Sequence, residues 1–320
     1  MTYRPEFEID NEILTLVSDT AVLVDRIPDN NEPPRDLRLR RSNRIKSIQS
    51  SLAIEGNTLS VEDVTDIIDG KRVPGNPREI REVKRAFRAY DMMGDLDPYS
   101  TKDMLAAHAE MMGGLVDLSG EFRNCEVGVY KGGVPIHIAP HQEDVPALMN
   151  DLFDWARSSD IHPLIKGCLF HCRFEYIHPF VDGNGRIGRL WHTLILSKWK
   201  HIFAHLPIET WIKLNQKEYY NSLSESDSGN VSVFIKFMLR MTFTAVEEYV
   251  DEMSHRPMKA FDIEAAILRM ISEDPGITSV KMASALGVSD RTVKRYLSSM
   301  VEKGQVRREG SDKTGHWEMP

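Results

Sequence analysis

What the chain has little of is the first guide to it. Cysteine is scarce: Cys125, Cys168 and Cys172 are the only three in 320 residues. An odd count argues against a disulfide framework and for reduced thiols. No apolar run is long enough to span a bilayer, since the stretch from Val231 to Val246 is broken by Lys236 and Arg240. The opening segment, Met1 to Glu12, is polar and mixed in charge and lacks the apolar centre of a secretory signal. Basic residues are not in excess: 40 Lys and Arg stand against 48 Asp and Glu, a net charge of −8, which excludes a bulk polyanion binder. Internal repeats and low-complexity tracts are also missing. The expectation is a soluble, cytoplasmic protein with no membrane partner, long enough for a sizeable core and two domains or more.

What is there reads mostly as helix. Apolar spacing and end signals predict helices over Asp10–Arg26, Leu37–Glu55, Val61–Ile68, Arg78–Met93 and Thr101–Met112. Ser60 followed by Asp63 is an N-cap with an acidic first turn, and Gly56-Asn57 just before it are stop residues. Between Arg123 and Ile138 the pattern turns to β, with Val127, Val129, Val134, Ile136 and Ile138 alternating around Lys131-Gly132-Gly133. That is a short hairpin. A helix over Pro163–Tyr176 carries Leu164, Cys168 and Cys172 on one stripe, with Pro179 expected to end it by restricting the residue before it. A second helix follows, with Ile187, Leu190, Trp191, Leu194 and Ile195 at helical spacing.

Between those two helices lies His178-Pro179-Phe180-Val181-Asp182-Gly183-Asn184-Gly185-Arg186-Ile187-Gly188-Arg189. Gly183 and Gly185 let backbone N–H groups approach an anion, and the loop opens into a helix whose N-terminus carries partial positive charge. Arg186 and Arg189, three apart, share a face and can hold successive phosphates. Asp182 is a hard oxygen ligand suited to Mg²⁺ shared with phosphate oxygens. His178 can take a proton from an attacking hydroxyl. Each residue alone is unremarkable, but their conjunction in twelve positions describes a phosphate-transfer site.

The segment resembles the Fic family signature, HPFx[DE]GNGRxxR, at every fixed position. The resemblance implies a mainly α fold: a Fic-type helical core with a small β-hairpin flap. It implies a protein adenylyltransferase that moves AMP from ATP to a Tyr, Thr or Ser hydroxyl of a protein target or of itself. His178 would be the base, Asp182 the Mg²⁺ ligand, Asn184 and Arg186 contacts to the α and β phosphates, and Arg189 the holder of the γ phosphate. Relatives that phosphorylate instead carry a lysine at the second loop glycine, so Gly185 favours AMP transfer.

Ser51-Leu52-Ala53-Ile54-Glu55-Gly56-Asn57 is similar to the family's inhibitory motif, [ST]xxxE[GN]. Ser51 and Glu55 lie one helical turn apart on one face. The resemblance implies that Glu55 pairs with Arg189 and keeps the γ phosphate out, with the inhibitory helix N-terminal to the catalytic core. It also leaves open AMP removal assisted by Glu55, and regulation through a homodimer. The hairpin corresponds to the target-docking flap, with Lys131, Gly132, Gly133 and Val134 at its tip. Tyr219 and Tyr220 follow the signature at the distance where relatives place an adenine-facing tyrosine.

Two clusters suggest metal and are better read otherwise. Cys168, His171 and Cys172 are close in sequence but continue a core stripe. His201 and His205 have i,i+4 spacing without a partner carboxylate and are expected to be surface or capping residues.

After Ser254-His255-Arg256-Pro257, helices over Asp262–Ile271, Val280–Leu286 and Asp290–Lys303 precede strands at 304–308 and 316–318. This resembles a winged helix-turn-helix. From Ser279 onward eight Lys and Arg face five Asp and Glu. Arg291, Thr292, Lys294 and Arg295 open the recognition helix, where readers place DNA contacts, although many such modules dock proteins. The expected division is therefore an inhibitory helical region 1–95, a catalytic core 96–253 and a winged domain 254–320. The competing function is a nucleotide-sensing, DNA-binding transcriptional regulator with little turnover.

Overall fold

The computed structural model describes residues 3–27, 37–131, 134–254, 260–286, 288–310 and 315–319. Side chains are described at these positions except 37–38, 129–131, 134–137, 254 and 260–262. The chain divides into two compact units, Met1–Asp251 and Glu252–Pro320.

In the first unit the N-terminal helices are α1 (Asn11–Asp25), α2 (Leu37–Ile54), α3 (Val61–Ile68), α4 (Pro77–Asp91) and α5 (Thr101–Met112). Their starts are set by local chemistry. The Asp10 carboxylate accepts from the Ile13 N–H, Ser60 and Asp63 close a reciprocal capping box, and Ser100 accepts from the Asp103 N–H. Asn76 caps α4, whose first residue is Pro77, where a missing N–H costs nothing. The hairpin follows as β1 (Gly128–Lys131) antiparallel to β2 (Val134–Ile138), with Gly128 opposite Ile138 and a register shift between Val129 and Tyr130. Gly132 and Gly133 of the expected flap tip lie outside the described residues, as do the side chains of Lys131 and Val134.

Helices α6 (Val145–Ser158), α7 (Pro163–Ile177), α8 (Asn184–Trp199), α9 (Ile208–Leu214), α10 (Gln216–Asp227) and α11 (Val231–Ser254) complete the unit. α7 and α8 pack extensively on each other, and their buried residues include Leu164, Cys168, Phe170, Phe174, Leu190, Trp191 and Leu194. The Trp191 indole N–H reaches the Pro98 carbonyl at 2.9 Å, so even this large ring is buried without an orphaned donor. Helices of the expected 1–95 region share this one core: Ile48 and Leu52 of α2 and Val83 of α4 belong to the same cluster. All three cysteines are free, with Cys168 and Cys172 buried.

α7 ends at Ile177, where expected, and His178, the residue before Pro179, leaves the right-handed helix for the left-handed conformation (φ 50°, ψ 59°). One expectation is corrected. His201–His205 forms a 3₁₀ turn, and His205 is buried; with three residues per turn its i,i+4 spacing does not make a shared solvent face.

The second unit holds α12 (Ala260–Glu273), α13 (Ser279–Leu286), α14 (Asp290–Glu302) and the antiparallel pair β3 (Arg307–Glu309) and β4 (His316–Glu318). It has its own core, including Ile263, Ile267, Ile271, Met282, Val293, Leu297 and Trp317. This is a helix-turn-helix followed by a short wing. Among the described residues no helix is long and apolar enough to cross a membrane.

Candidate active site

The site is built where α7 ends and α8 begins. Gly183 takes φ +90°, and a Cβ there would come within 2.8 Å of Met112, so only glycine fits the turn. Asn184 holds that turn shut: its side chain accepts from the Phe180 N–H at 2.9 Å and donates to the Phe180 carbonyl at 2.8 Å. Asn184 thus braces the loop through both ends of its amide, with a second side-chain N–H left over for the expected phosphate contact. The opening N–H groups of α8 have no partner within the helix, and with the helix dipole they form an anion cradle.

Both arginines are buried beside it. Arg186 donates to the Asp182 carboxylate at 2.7 Å, with Glu82 at 3.9 Å. Arg189 donates to the Ser51 hydroxyl at 3.1 Å, the Ser51 carbonyl at 2.9 Å and the Glu55 carboxylate at 2.8 Å. Burial opposes the charge of Arg189, but the negative Glu55 more than offsets this and, with lesser help from Glu175, holds the guanidinium ionised well above the ordinary arginine value. Arg186 Nε and Arg189 Nη1 are nonetheless buried donors without a hydrogen-bond partner. Two orphaned cationic donors at an N-terminal helix turn fit a polyphosphate.

Glu55 occupies the same cradle. A Cβ added at Gly185 would collide with the Glu55 carboxylate and lie 2.9 Å from Arg189 Nη1. The second loop glycine is therefore what lets the end of α2 reach the arginine. Gly56 ends that reach with φ +91°.

His178 sits at the lip, one fifth exposed. Its Nδ1 lies 3.3 Å from the Glu175 carbonyl. A carbonyl can only accept, so Nδ1 carries the proton and Nε2 is the basic nitrogen of the neutral ring. Arg123 fixes the backbone here, donating to the carbonyls of His178 (2.9 Å), Cys125 (3.0 Å), Ile177 (3.4 Å) and Pro140, while its own N–H donates to the Pro179 carbonyl at 2.9 Å. His108 supports the loop from α5. It accepts from the Gly120 N–H through Nδ1, lies 3.0 Å from the Asp182 carbonyl through Nε2, and stacks on Phe180 at 3.7 Å. Burial pushes His108 down to about 4, consistent with this neutral ring. Neither Arg123 nor His108 lies in a motif, so the sequence does not single them out; the one signal it carries is a histidine inside the apolar stripe of α5.

Asp182 is partly exposed at the mouth, with Arg78 3.6 Å from its second oxygen. Among the described residues no group of three or more His, Cys, Asp or Glu could hold a metal ion by itself. A single carboxylate beside a phosphate cradle fits a cation whose other ligands come from phosphate and water.

The two tyrosines part company. Tyr219 is buried, with its hydroxyl 3.0 Å from His171, so it packs in the core. Tyr220 is 42% exposed, its hydroxyl 3.3 Å from the Ile54 carbonyl next to Glu55. The site-facing member of the pair is Tyr220.

Over 99% of its length the chain matches the crystal structure of a Fic family protein from Desulfovibrio desulfuricans G20, at 42% identity and a TM-score of 0.75, covering 98% of that chain. The chain belongs to the Fic family. Residues 98–196 match the family described as Fic/DOC, and residues 262–307 match one described as winged helix-turn-helix DNA-binding. The Fic fold also aligns with Fic-1 (residues 134–508) from C. elegans, at 24% identity and a TM-score of 0.63 over 76% of this chain and 73% of that one. Two curated relatives are each called protein adenylyltransferase Fic. The Nematostella vectensis protein is 27% identical over 262 residues, and the Aedes aegypti protein 29% over 238. The matches cover 78% and 69% of this chain but 58% and 46% of those proteins, so the chain spans about half the length of the curated relatives it matches.

Within the winged unit, Arg291, Thr292, Lys294 and Arg295 all lie in the first two turns of α14. Thr292 belongs to the cap, its N–H donating to Ser289 Oγ at 3.1 Å. Lys294 pairs with Asp290 at 2.7 Å, and Arg295 lies over the Tyr296 ring. In the wing, Arg307 is bracketed by Glu309 and Glu318.

Proposed function

We propose that the protein is an adenylyltransferase that transfers AMP from ATP to a hydroxyl side chain of a protein, held off by Glu55. The observation that carries the reading is the lock on Arg189. A buried, charged arginine at the head of an anion-binding helix is held by Ser51 and Glu55, and the Glu55 carboxylate lies on the loop glycine where a phosphate would sit. In the released state Arg189 and Arg186 take the polyphosphate of ATP, with the N–H groups of α8 below it. Asp182 would hold a Mg²⁺ ion shared with phosphate oxygens, which would neutralise charge on the pyrophosphate. His178 Nε2 takes the proton of the target hydroxyl as that oxygen bonds to the α-phosphorus; the bond to the bridging oxygen breaks and pyrophosphate departs. Gly128–Lys131 and Val134–Ile138 offer a strand edge to an extended target segment.

The test is intact-protein mass after incubation with ATP and Mg²⁺, alone and with a cell extract as target source. An adduct of about 329 Da, the AMP moiety joined to a hydroxyl, should grow in Glu55→Gly and vanish in Glu55→Gly/His178→Ala. Equal incorporation in wild type and Glu55→Gly would sink the brake, and no adduct in any variant or target would sink the transferase. The winged unit carries a second reading, DNA binding, favoured by the family that residues 262–307 match. A salt-dependent duplex shift lost in Arg291→Ala/Arg295→Ala is the expected outcome; no binding to any duplex at low salt would end it.

A further inference from the structure

One buried carboxylate near the site has no part in the signature, the lock or the cradle. Glu175 lies in the last turn of α7, three residues before His178, with its side chain 12% exposed. One oxygen is 3.8 Å from His178 Nδ1 and the other is 3.6 Å from His171 Nε2. The second oxygen also lies against α8, since a Cβ at Gly188 would approach it to 2.7 Å. Gly188 fills one of the three unspecified positions of the signature, so the signature does not ask for glycine there. In this chain the Glu175 carboxylate does, together with the His171 ring, which lies 3.0 Å from the same Cβ.

We propose that Glu175 is a positioning residue for the base. Its carbonyl accepts from His178 Nδ1, and its carboxylate lies on the same side of the ring. Nε2 is therefore the nitrogen presented to the incoming hydroxyl, and the imidazolium formed on proton uptake has a buried counter-charge. The proposal rests on the transferase reading for its chemistry, and the pairing itself can be measured without turnover. The proton balance is simple: it leaves the target hydroxyl, resides on His178 Nε2 during transfer, and is returned to solvent or pyrophosphate afterwards. Glu175 itself takes up no proton.

The other ionisable groups that sense Glu175 are His171 and Cys172 on its own helix, Arg189 on α8, and Tyr219 and Tyr220 on α10. Burial pushes His171 down to about 3, and burial pushes the Cys172 thiol and both phenols up, so at neutral pH these four are uncharged. Among the cations near the carboxylate are Arg189, already held by Glu55 at 2.8 Å, and protonated His178. Release of Glu55 would leave Arg189 to ATP and Glu175 to the base.

The experiment is a titration of His178 in the whole chain labelled at histidine Cε1, with its resonance identified by loss in His178→Ala. Glu175→Gln should lower the midpoint by about one pH unit, the effect of removing a close opposite charge. Gly188→Ala, which displaces the carboxylate and keeps it charged, should move the midpoint the same way by less. In the Glu55→Gly background, Glu175→Gln should lower kcat for AMP transfer about tenfold, move the acid limb of its pH profile down, and leave KM for ATP unchanged. An unmoved His178 midpoint in both variants would overturn the proposal, as would a rise in KM with an unmoved pH profile. Should Glu175→Gln fail to fold, the Gly188→Ala titration decides alone. A shifted midpoint in a chain that transfers no AMP would support the pairing and overturn the transferase reading.

Discussion

At the scale of a residue, the proposed brake is concentrated in Arg189. It is almost wholly buried, yet three hydrogen bonds, one of them to the Glu55 carboxylate, keep it charged. Hydrogen bonds to charged groups contribute about 1.5–3 kcal/mol each, so the lock is graded rather than all-or-none. Ser51→Ala removes one donor–acceptor pair and leaves Glu55 in place. AMP incorporation should therefore rank wild type, then Ser51→Ala, then Glu55→Gly, in an initial-rate assay at saturating ATP. A Ser51→Ala rate equal to wild type would show that Glu55 alone forms the lock.

At the scale of elements, the loop between α7 and α8 works because others hold it. Arg123 gathers carbonyls around the left-handed turn at His178, a task for a planar fork with several donors. Arg123→Lys keeps the charge but not the fork. It should lower unfolding stability by about 2 kcal/mol, read by denaturant titration, and reduce transfer through kcat more than through KM. α4 ties the segment that follows α2 to the same loop. Glu82 accepts from Asn57 at 2.8 Å and stands 3.9 Å from Arg186, while Arg78 reaches both Glu82 and Asp182. Helix limits, caps and the hairpin are legible in the sequence because a cap or a period is a property of a few adjacent residues. The bracing by Arg123 and His108 is not, because it joins residues 55 and 74 apart that share no pattern.

The whole molecule has, among the described residues, two separate cores and four buried histidines that follow a common rule. Burial holds His108 down to about 4, and His171, His192 and His205 to about 3. Each is neutral when folded and binds a proton on unfolding below its ordinary value near 6.5. A depressed histidine value means that the unfolded chain binds more protons between these limits, so stability is full above about pH 6.5 and falls as pH drops toward 4 and then 3. The thermal transition of the first unit, followed in the whole chain, should shift down across that range with uptake of up to four protons. A pH-independent melting temperature would contradict the buried, neutral assignment. The separate core around Ile267, Leu297 and Trp317 predicts a second calorimetric transition for the winged unit. That transition should persist in a Leu190→Ala variant whose first unit is destabilised by about 2–5 kcal/mol.

The sequence by itself determined the chemistry of the candidate site. The twelve residues from His178 to Arg189 bring base, carboxylate, glycines and arginines together without help from the rest of the fold, so their grouping is a property of the chain's order alone. It also pointed to the proposed inhibitory helix, because Ser51 and Glu55 share a face through helical period alone. Tertiary structure decided which of the neighbouring aromatics faces the site, Tyr220 rather than Tyr219, since that depends on how α10 is rolled against α7. It also decided that Glu55 lies in the cradle, because an ion pair between residues 134 apart in sequence exists only once α2 and α8 are packed. Glu175 depends on packing for the same reason: its carboxylate has meaning only beside the turn at His178 and the bare backbone of Gly188.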